Sequence, residues 1–379
     1  MPKKIMLVFG TRPEAIKMCP LVRELQSREG IQTLVCVTGQ HRQMLDSVLA
    51  TFGVIPDYDL CLMREGQTLF DITSGILSAI RAVLEREKPD TVLVHGDTTT
   101  AFAASLACFY LHIPLAHVEA GLRTYDVHSP YPEEFNRRAI SLIADMHFTP
   151  TETTRANLIA EGIAEERICL VGNTVIDALR TTVRADYTHP VLEWARGSRL
   201  VLLTAHRRES IGAPLHRILS AVRRVVDTHP AVKLVYPVHP NPSVRQIAEE
   251  SIGSCDRIRM MPPFDVLDFH NFLARSSLIL TDSGGIQEEA TALGKPTLVL
   301  RDKTERPEGA MAGVLRLVGT SEGAVYDNFT RLLDDRAAYD AMAKASNPYG
   351  DGHACQRIAD RIESNEIPMG APHLRASII

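Results

Sequence analysis

Ile5-Met6-Leu7-Val8-Phe9 is an unbroken apolar run that gives way, through Gly10-Thr11-Arg12, to Pro13 and an amphipathic stretch beginning Glu14-Ala15-Ile16-Lys17. A short run that is apolar at every position suits a strand buried on both faces, and the proline pre-sets the first turn of a following helix. The same strand-then-helix unit recurs along the chain. Comparable runs occupy Thr33 to Thr38, Thr91 to His95, Leu115 to Val118, His147 to Thr149 and Ile168 to Val171. A second series runs through Leu200 to Thr204, Val232 to Val238, Ile258 to Met261, Leu278 to Thr281 and Thr297 to Leu300. Strands alternating with amphipathic helices predict α/β architecture, with parallel sheets covered on both faces.

Each series is sufficient for one doubly wound domain. Between them, from Arg184 to Arg199, apolar periodicity fades and His189-Pro190 and Gly197-Ser198 introduce turn chemistry. The reading is therefore a first domain over 1–185 and a second over 199–352. The segment 353–379 begins with a helix at about Ala354 to Glu363 that follows the turn-rich Asn347-Pro348-Tyr349-Gly350-Asp351-Gly352 and packs back on the first domain.

The chain has 379 residues, 45% of them hydrophobic and 23% charged, which accommodates two cores. Lys and Arg total 41 against 46 Asp and Glu, without a basic stripe, so nucleic acid is not an expected partner. No apolar stretch reaches the roughly 18 residues of a membrane span, and the run after Lys3-Lys4 stops at Thr11, far short of a signal peptide. A cytoplasmic protein is expected. The seven cysteines are scattered, with no CxxC pair, and His117-Val118-Glu119 lacks the downstream cysteine pair of a zinc deaminase. Reduced thiols and no metal site are expected.

In open parallel sheets ligands bind beyond the carboxyl ends of the strands, where this sequence is unusually polar. Gly10-Thr11-Arg12 with nearby Lys17 offers a glycine turn beside two cations. Asp282-Ser283-Gly284-Gly285 leads directly into Ile286-Gln287-Glu288-Glu289, so its glycines and hydroxyl fall at a helix N-terminus, where free N–H groups and the helix dipole favour a phosphate. Glu289 follows Gly285 by one helical turn and is able to accept hydrogen bonds from ribose hydroxyls. Neither G-x-G-x-x-G nor a P-loop is present, which removes support for NAD, FAD or ATP hydrolysis. In the first half Asp97 and Glu119 end consecutive strands, and Glu133 and Arg137 share an i, i+4 helical face. Singly, each carboxylate also suits a helix cap or turn; together they can divide acid and base roles. His206-Arg207-Arg208-Glu209 and His239 add a basic rim from the second half, or equally a surface loop.

These residues form a recognisable set. Gly10-Thr11-Arg12-Pro13-Glu14-Ala15, His95-Gly96-Asp97-Thr98, His117-Val118-Glu119-Ala120-Gly121-Leu122-Arg123, Pro132-Glu133-Glu134, Gly172-Asn173-Thr174, His206-Arg207-Arg208-Glu209 and Asp282-Ser283-Gly284-Gly285 resemble, in order, the bacterial non-hydrolysing UDP-N-acetylglucosamine 2-epimerases. The resemblance implies two Rossmann-like domains facing a central cleft, a glycosyltransferase-B-like architecture, in a homodimer. It assigns catalysis to Asp97, Glu119, Glu133 and His206 with Lys17 and Arg137 nearby, and UDP binding to Arg12, His239, Ser283, Gly284, Gly285 and Glu289. No cofactor is implied. The implied reaction converts UDP-N-acetylglucosamine (UDP-GlcNAc) reversibly to UDP-N-acetylmannosamine (UDP-ManNAc) through elimination of UDP to 2-acetamidoglucal, supplying ManNAc units for surface polysaccharide.

A glycosyltransferase of the same architecture would need an acceptor, and a nucleotide-sugar sensor would bind without turnover. A hydrolysing 2-epimerase would release free ManNAc and differs around the first-strand motif. The family's allosteric substrate site matches Gln40, Gln43, Arg207 and His239, but Glu65-Gly66-Gln67 stands where some regulated members carry an arginine. Weak activation by UDP-GlcNAc is the expectation.

Overall fold

A computed structural model describes residues 2–39, 42–62, 64, 66–207, 210–304 and 306–364, the side chains of 42 and 43 excepted. The chain divides into two compact units, Met1–Thr181 with Gly350–Ile379, and Thr182–Tyr349. In the first, the order is β1 (Lys3–Phe9), α1 (Arg12–Gln26), β2 (Ile31–Val37), α2 (Arg42–Phe52), β3 (Tyr58–Asp59), α3 (Leu69–Glu87), β4 (Thr91–His95), α4 (Thr99–Tyr110), β5 (Leu115–Val118), α5 (Glu133–Ile143), β6 (Met146–Thr149), α6 (Glu152–Ala160), β7 (Ile168–Leu170) and α7 (Thr174–Thr182). The second contains α8 (Pro190–Trp194), β8 (Arg199–Thr204), α9 (Ala213–Thr228), β9 (Val232–Pro237), α10 (Pro242–Ile252), β10 (Ile258–Met261), α11 (Val266–Arg275), β11 (Leu278–Thr281), α12 (Gly284–Ala292), β12 (Thr297–Val299), α13 (Pro307–Met311), β13 (Leu315–Leu317), α14 (Glu322–Asp334) and α15 (Arg336–Ala343). The last helix, α16 (Ala354–Glu363), packs on α1.

All strand pairs among the described residues are parallel. The sheets run β3-β2-β1-β4-β5-β6-β7 and β10-β9-β8-β11-β12-β13. Each order reverses direction once, between β1 and β4 in the first sheet and between β8 and β11 in the second. At such a switch point the loops leaving the two strands diverge to opposite faces and open a crevice at the carboxyl ends. The registers Val8↔Val94 and Thr204↔Thr281 bring Gly10 beside Gly96 and Ala205 beside Asp282 at those ends. These are the two series of strands expected from the sequence, as doubly wound sheets with helices on both sides.

Burial explains the unbroken apolar runs. Ile5 to Phe9, Val92 to Val94 and Leu278 to Leu280 are fully buried, as are Ile80 and Leu84 of α3 and Ile218, Val222 and Val225 of α9 that cover them. Two short strands escape the apolar pattern. β3 is two residues long and half-exposed, and β13 pairs only through Leu315 to Leu317. The turn-rich segment after Arg184 is also more than a linker. The Tyr187 hydroxyl donates to Asp268 at 2.5 Å, Arg275 donates to the carbonyls of Arg184 and Tyr187, and Trp194 of α8 lies under Lys233 and Arg259. These polar and cation–π contacts bind 182–198 to the second unit, where apolar periodicity gives no sign of them.

Candidate active site

At the end of β1 the chain turns at Gly10, where a Cβ atom would lie 2.0 Å from the Thr38 hydroxyl, so only glycine lets β1, β2 and α4 converge here. Thr11 then caps α1, and Glu14 completes a capping box, accepting from the Thr11 amide at 2.8 Å and hydroxyl at 2.7 Å and from the Gly10 amide at 3.1 Å. The other Glu14 oxygen accepts from the Thr98 hydroxyl at 2.8 Å. Glu14 thus ties the start of α1, the helix carrying Arg12 and Lys17, to the turn carrying Asp97. Its burial pushes the carboxyl pKa upward, against hydrogen bonds from Thr11 and Thr98 that lower it.

Asp97 and Glu119 each meet a cation. Arg137 of α5 pairs with Asp97, and Asn136 donates to the Asp97 carbonyl at 2.9 Å. Lys17 of α1 pairs with Glu119, which also accepts from Asn173 Nδ2 at 3.0 Å and has His95 Nε2 at 3.6 Å. Glu119 occupies the left-handed region at φ 60°, a conformation that costs a non-glycine residue about 1–2 kcal/mol and therefore requires tertiary contacts to hold it. Arg137 does not rely on the i, i+4 partner expected from spacing. Its second carboxylate is Glu134, at 3.2 Å. Glu134 is fully buried and accepts from the amides of Thr124 and Tyr125, both at 3.0 Å, which fastens the loop after β5 to α5. Glu133 begins the same helix, half-buried.

In the second unit Asp282 follows β11 and is fully buried. One of its oxygens accepts from the amides of both His206 and Arg207 at 2.7 Å, joining the turn after β8 to the turn after β11. The His206 and His239 rings stack at 5.0 Å with an interplanar angle of 12°. Burial, followed by the neighbouring His206, lowers the His239 pKa, and its Nδ1 accepts from the Asn241 amide at 3.2 Å. Ser283 stands at the N-cap of α12 without a side-chain cap hydrogen bond, so the first turn of Gly284 and Gly285 presents amides that its own cap does not use. Glu289 lies on α12, 7% exposed. Gln40, Arg208, Glu209 and Glu65 lie outside the described residues, as does the side chain of Gln43.

Two histidines in strands are interior groups. His117 of β5 is fully buried, contacts the Gly96 carbonyl through Nε2 at 2.7 Å, and faces His147 of β6 in register; desolvation pushes each down to about 3. The described cysteines are all free thiols.

Asn173, Glu134 and Asp282 stand in quoted motifs, yet spacing alone does not reveal their roles. Their partners arrive from other strands, and only the sheet order brings them together.

Carboxylates paired with cations at the strand ends of one doubly wound unit, and a glycine-led helix terminus at the strand ends of the other, are the architecture of a two-unit α/β protein of nucleotide-binding type. The family model described as UDP-N-acetylglucosamine 2-epimerase matches residues 23–363. The UDP-N-acetylglucosamine 2-epimerase of Bacillus subtilis is 54% identical over 359 residues, covering 95% of this chain and 94% of that protein. The Neisseria meningitidis UDP-GlcNAc 2-epimerase, solved bound to UDP-GlcNAc, superposes with a TM-score of 0.89 at 45% identity, covering 96% of this chain and 100% of that one. The S. aureus MnaA–UDP co-structure gives a TM-score of 0.90 at 50% identity, over 95% and 96% of the two chains. The chain belongs to the UDP-N-acetylglucosamine 2-epimerase family.

Proposed function

We propose that this enzyme inverts C2 of UDP-GlcNAc by eliminating and re-adding UDP. The observation that carries the reading is the fixing of two carboxylates on neighbouring strand ends, Asp97 by Arg137 and Glu119 by Lys17 and Asn173, which sets both positions before a substrate arrives. The C2–H bond of an N-acetylhexosamine has no adjacent carbonyl to acidify it. Its electron pair therefore becomes the C1=C2 bond of 2-acetamidoglucal as the C1–O bond breaks and its electrons leave with UDP, the proton passing to a carboxylate. Return of UDP oxygen to C1, with a proton delivered to the opposite face of C2, yields UDP-ManNAc. Arg12 and the amides at Ser283, Gly284 and Gly285 would take up the charge growing on the diphosphate. Glu133 and His206 complete the proton-handling set, His239 and Glu289 hold the nucleotide, and neither cofactor nor metal enters the scheme. The product would leave as a glycosyl donor in the cytoplasm for a ManNAc-transferring step in surface polysaccharide synthesis.

The test is NMR of the protein with UDP-GlcNAc alone in heavy water. An equilibrium mixture containing UDP-ManNAc deuterated at C2 is expected. Full retention of the original C2 hydrogen would overturn the elimination route, and no turnover without an added acceptor would favour a transferase.

A further inference from the structure

Behind Glu289 lies a buried histidine that the reaction scheme leaves unused. His270 of α11 is 1% exposed; its Nδ1 is 2.7 Å from the Thr182 hydroxyl and its Nε2 is 3.7 Å from Glu289 Oε2. That Glu289 oxygen is buried and makes no hydrogen bond of its own. A carboxylate oxygen removed from water is costly unless a donor reaches it, and the imidazole Nε2 at 3.7 Å stands just beyond hydrogen-bond distance. The tautomer of the ring follows the direction of the Thr182 contact. If the Thr182 hydroxyl donates to Nδ1, the imidazole holds its hydrogen on Nε2, facing Glu289. Thr182 is itself fixed, because Asn271, the next residue of α11, donates from Nδ2 to the Thr182 carbonyl at 2.7 Å.

We propose that His270 is a positioning residue that, held by Thr182, orients Glu289 so that its carboxylate reads the ribose hydroxyls of the bound nucleotide. The proposal rests on the nucleotide reading of α12 given above and adds to it the device that makes the site select a ribonucleotide. With Oε2 engaged by His270, the carboxylate plane is set and Oε1 is left to accept from the sugar. Without the imidazole the carboxylate turns to other donors or to water, and the 2′-hydroxyl is no longer distinguished from hydrogen. A histidine that merely filled space would support the fold without affecting that distinction.

Calorimetric titration of the full-length protein with UDP and with 2′-deoxy-UDP tests this without requiring turnover. A hydrogen bond to a charged group predicts that the wild type prefers UDP by about tenfold or more. His270→Phe, which keeps the ring volume and loses the donor, should bring the two affinities within about threefold of each other. His270→Gln, whose amide nitrogen can take the place of Nε2, should recover most of the preference. Thr182→Val, a milder change, should also reduce it and carries the test if His270→Phe does not fold. A folded His270→Phe or Thr182→Val protein that retains the wild-type ratio overturns the proposal, even where both affinities or the melting temperature fall. Equal binding of UDP and 2′-deoxy-UDP by the wild type overturns it while leaving the nucleotide site intact; absence of UDP binding overturns both.

Discussion

Glu119 combines two demands at one residue. Its backbone is held at φ 60° and its carboxylate is held by Lys17 and Asn173, so position is obtained at the expense of local backbone energy. Replacing Asp97, Glu119 or Glu133 by its amide should lower kcat by a factor on the order of 10², the usual scale for a positioned acid or base. The melting temperatures should differ among the three. Glu133 is half-buried at a helix start, and Glu133→Gln should melt with the wild type, within about 0.5 kcal/mol. Glu119→Gln removes the charge that faces the largely buried Lys17 ammonium and should cost on the order of 1–3 kcal/mol. Thermal melts beside an NMR assay separate these outcomes. Loss of the fold in all three variants would mark the carboxylates as structural rather than catalytic.

At the scale of elements, the N-terminus of α12 permits a clean separation of fold from ligand. A Cβ atom on Gly285 would meet nothing within 4 Å, so Gly285→Ala fits the protein and should raise helix stability by up to about 1 kcal/mol. If a phosphate approaches the backbone there, the added methyl obstructs it, and UDP affinity should fall about tenfold while the melting temperature holds or rises. Unchanged affinity by calorimetry would move the diphosphate elsewhere.

The strand pair β5–β6 makes a pH-dependent contribution of a different kind. His117 and His147 stay neutral in the fold, with pKa near 3, whereas in the unfolded chain they take up protons near 6.5. Protons therefore favour the unfolded state, and stability falls as pH drops through 6.5, continuing toward 3. Each histidine should cost on the order of 1 kcal/mol by pH 5.5. His147→Leu should show a shallower decline in melting temperature between pH 8 and 5.5 than the wild type; parallel curves would show that another group is responsible.

For the molecule as a whole, the homodimer implied by the resemblance requires an apolar surface, and the first unit offers a candidate for one. Phe109 and Tyr110 of α4 are 56% and 62% exposed, and Phe135 and Leu142 of α5 are 49% and 81% exposed. The two helices pack together, with Phe102 and Phe135 edge to face at 5.7 Å. We propose these large apolar side chains on neighbouring helices as the surface that a second copy of the chain covers. Sedimentation should give twice the 41.9 kDa of one chain, and Tyr110→Asp with Leu142→Asp should return it to one. A wild-type protein that sediments as a single chain would refute the assembly.

What the amino-acid sequence determined by itself was set locally. Apolar runs such as Ile5 to Phe9 read as buried strands because every side chain must leave water. Ser283-Gly284-Gly285 is legible as a helix start with open amides, because free amides there are a property of a few neighbouring residues. The Gly10 turn, in contrast, does not face an anion with its amides: Glu14 accepts from the Gly10 and Thr11 N–H groups, and the glycine is demanded by Thr38 and Thr100 from other elements. The brief strands β3 and β13 and the segment around α8 were not legible. Their place depends on pairing to a strand already present, or on polar and cation–π contacts that leave no apolar period. The tertiary structure alone decided the partners of the charged groups. Lys17 meets Glu119 across 102 residues, Asp282 meets His206 across 76, and Thr182 meets His270 across 88. Arg137 met Asp97 and Glu134 instead of the Glu133 suggested by helical spacing. Such pairs follow from strand order, which places β4 beside β1 and β11 beside β8, and order is a property of how whole elements pack, to which no single stretch of chain has access.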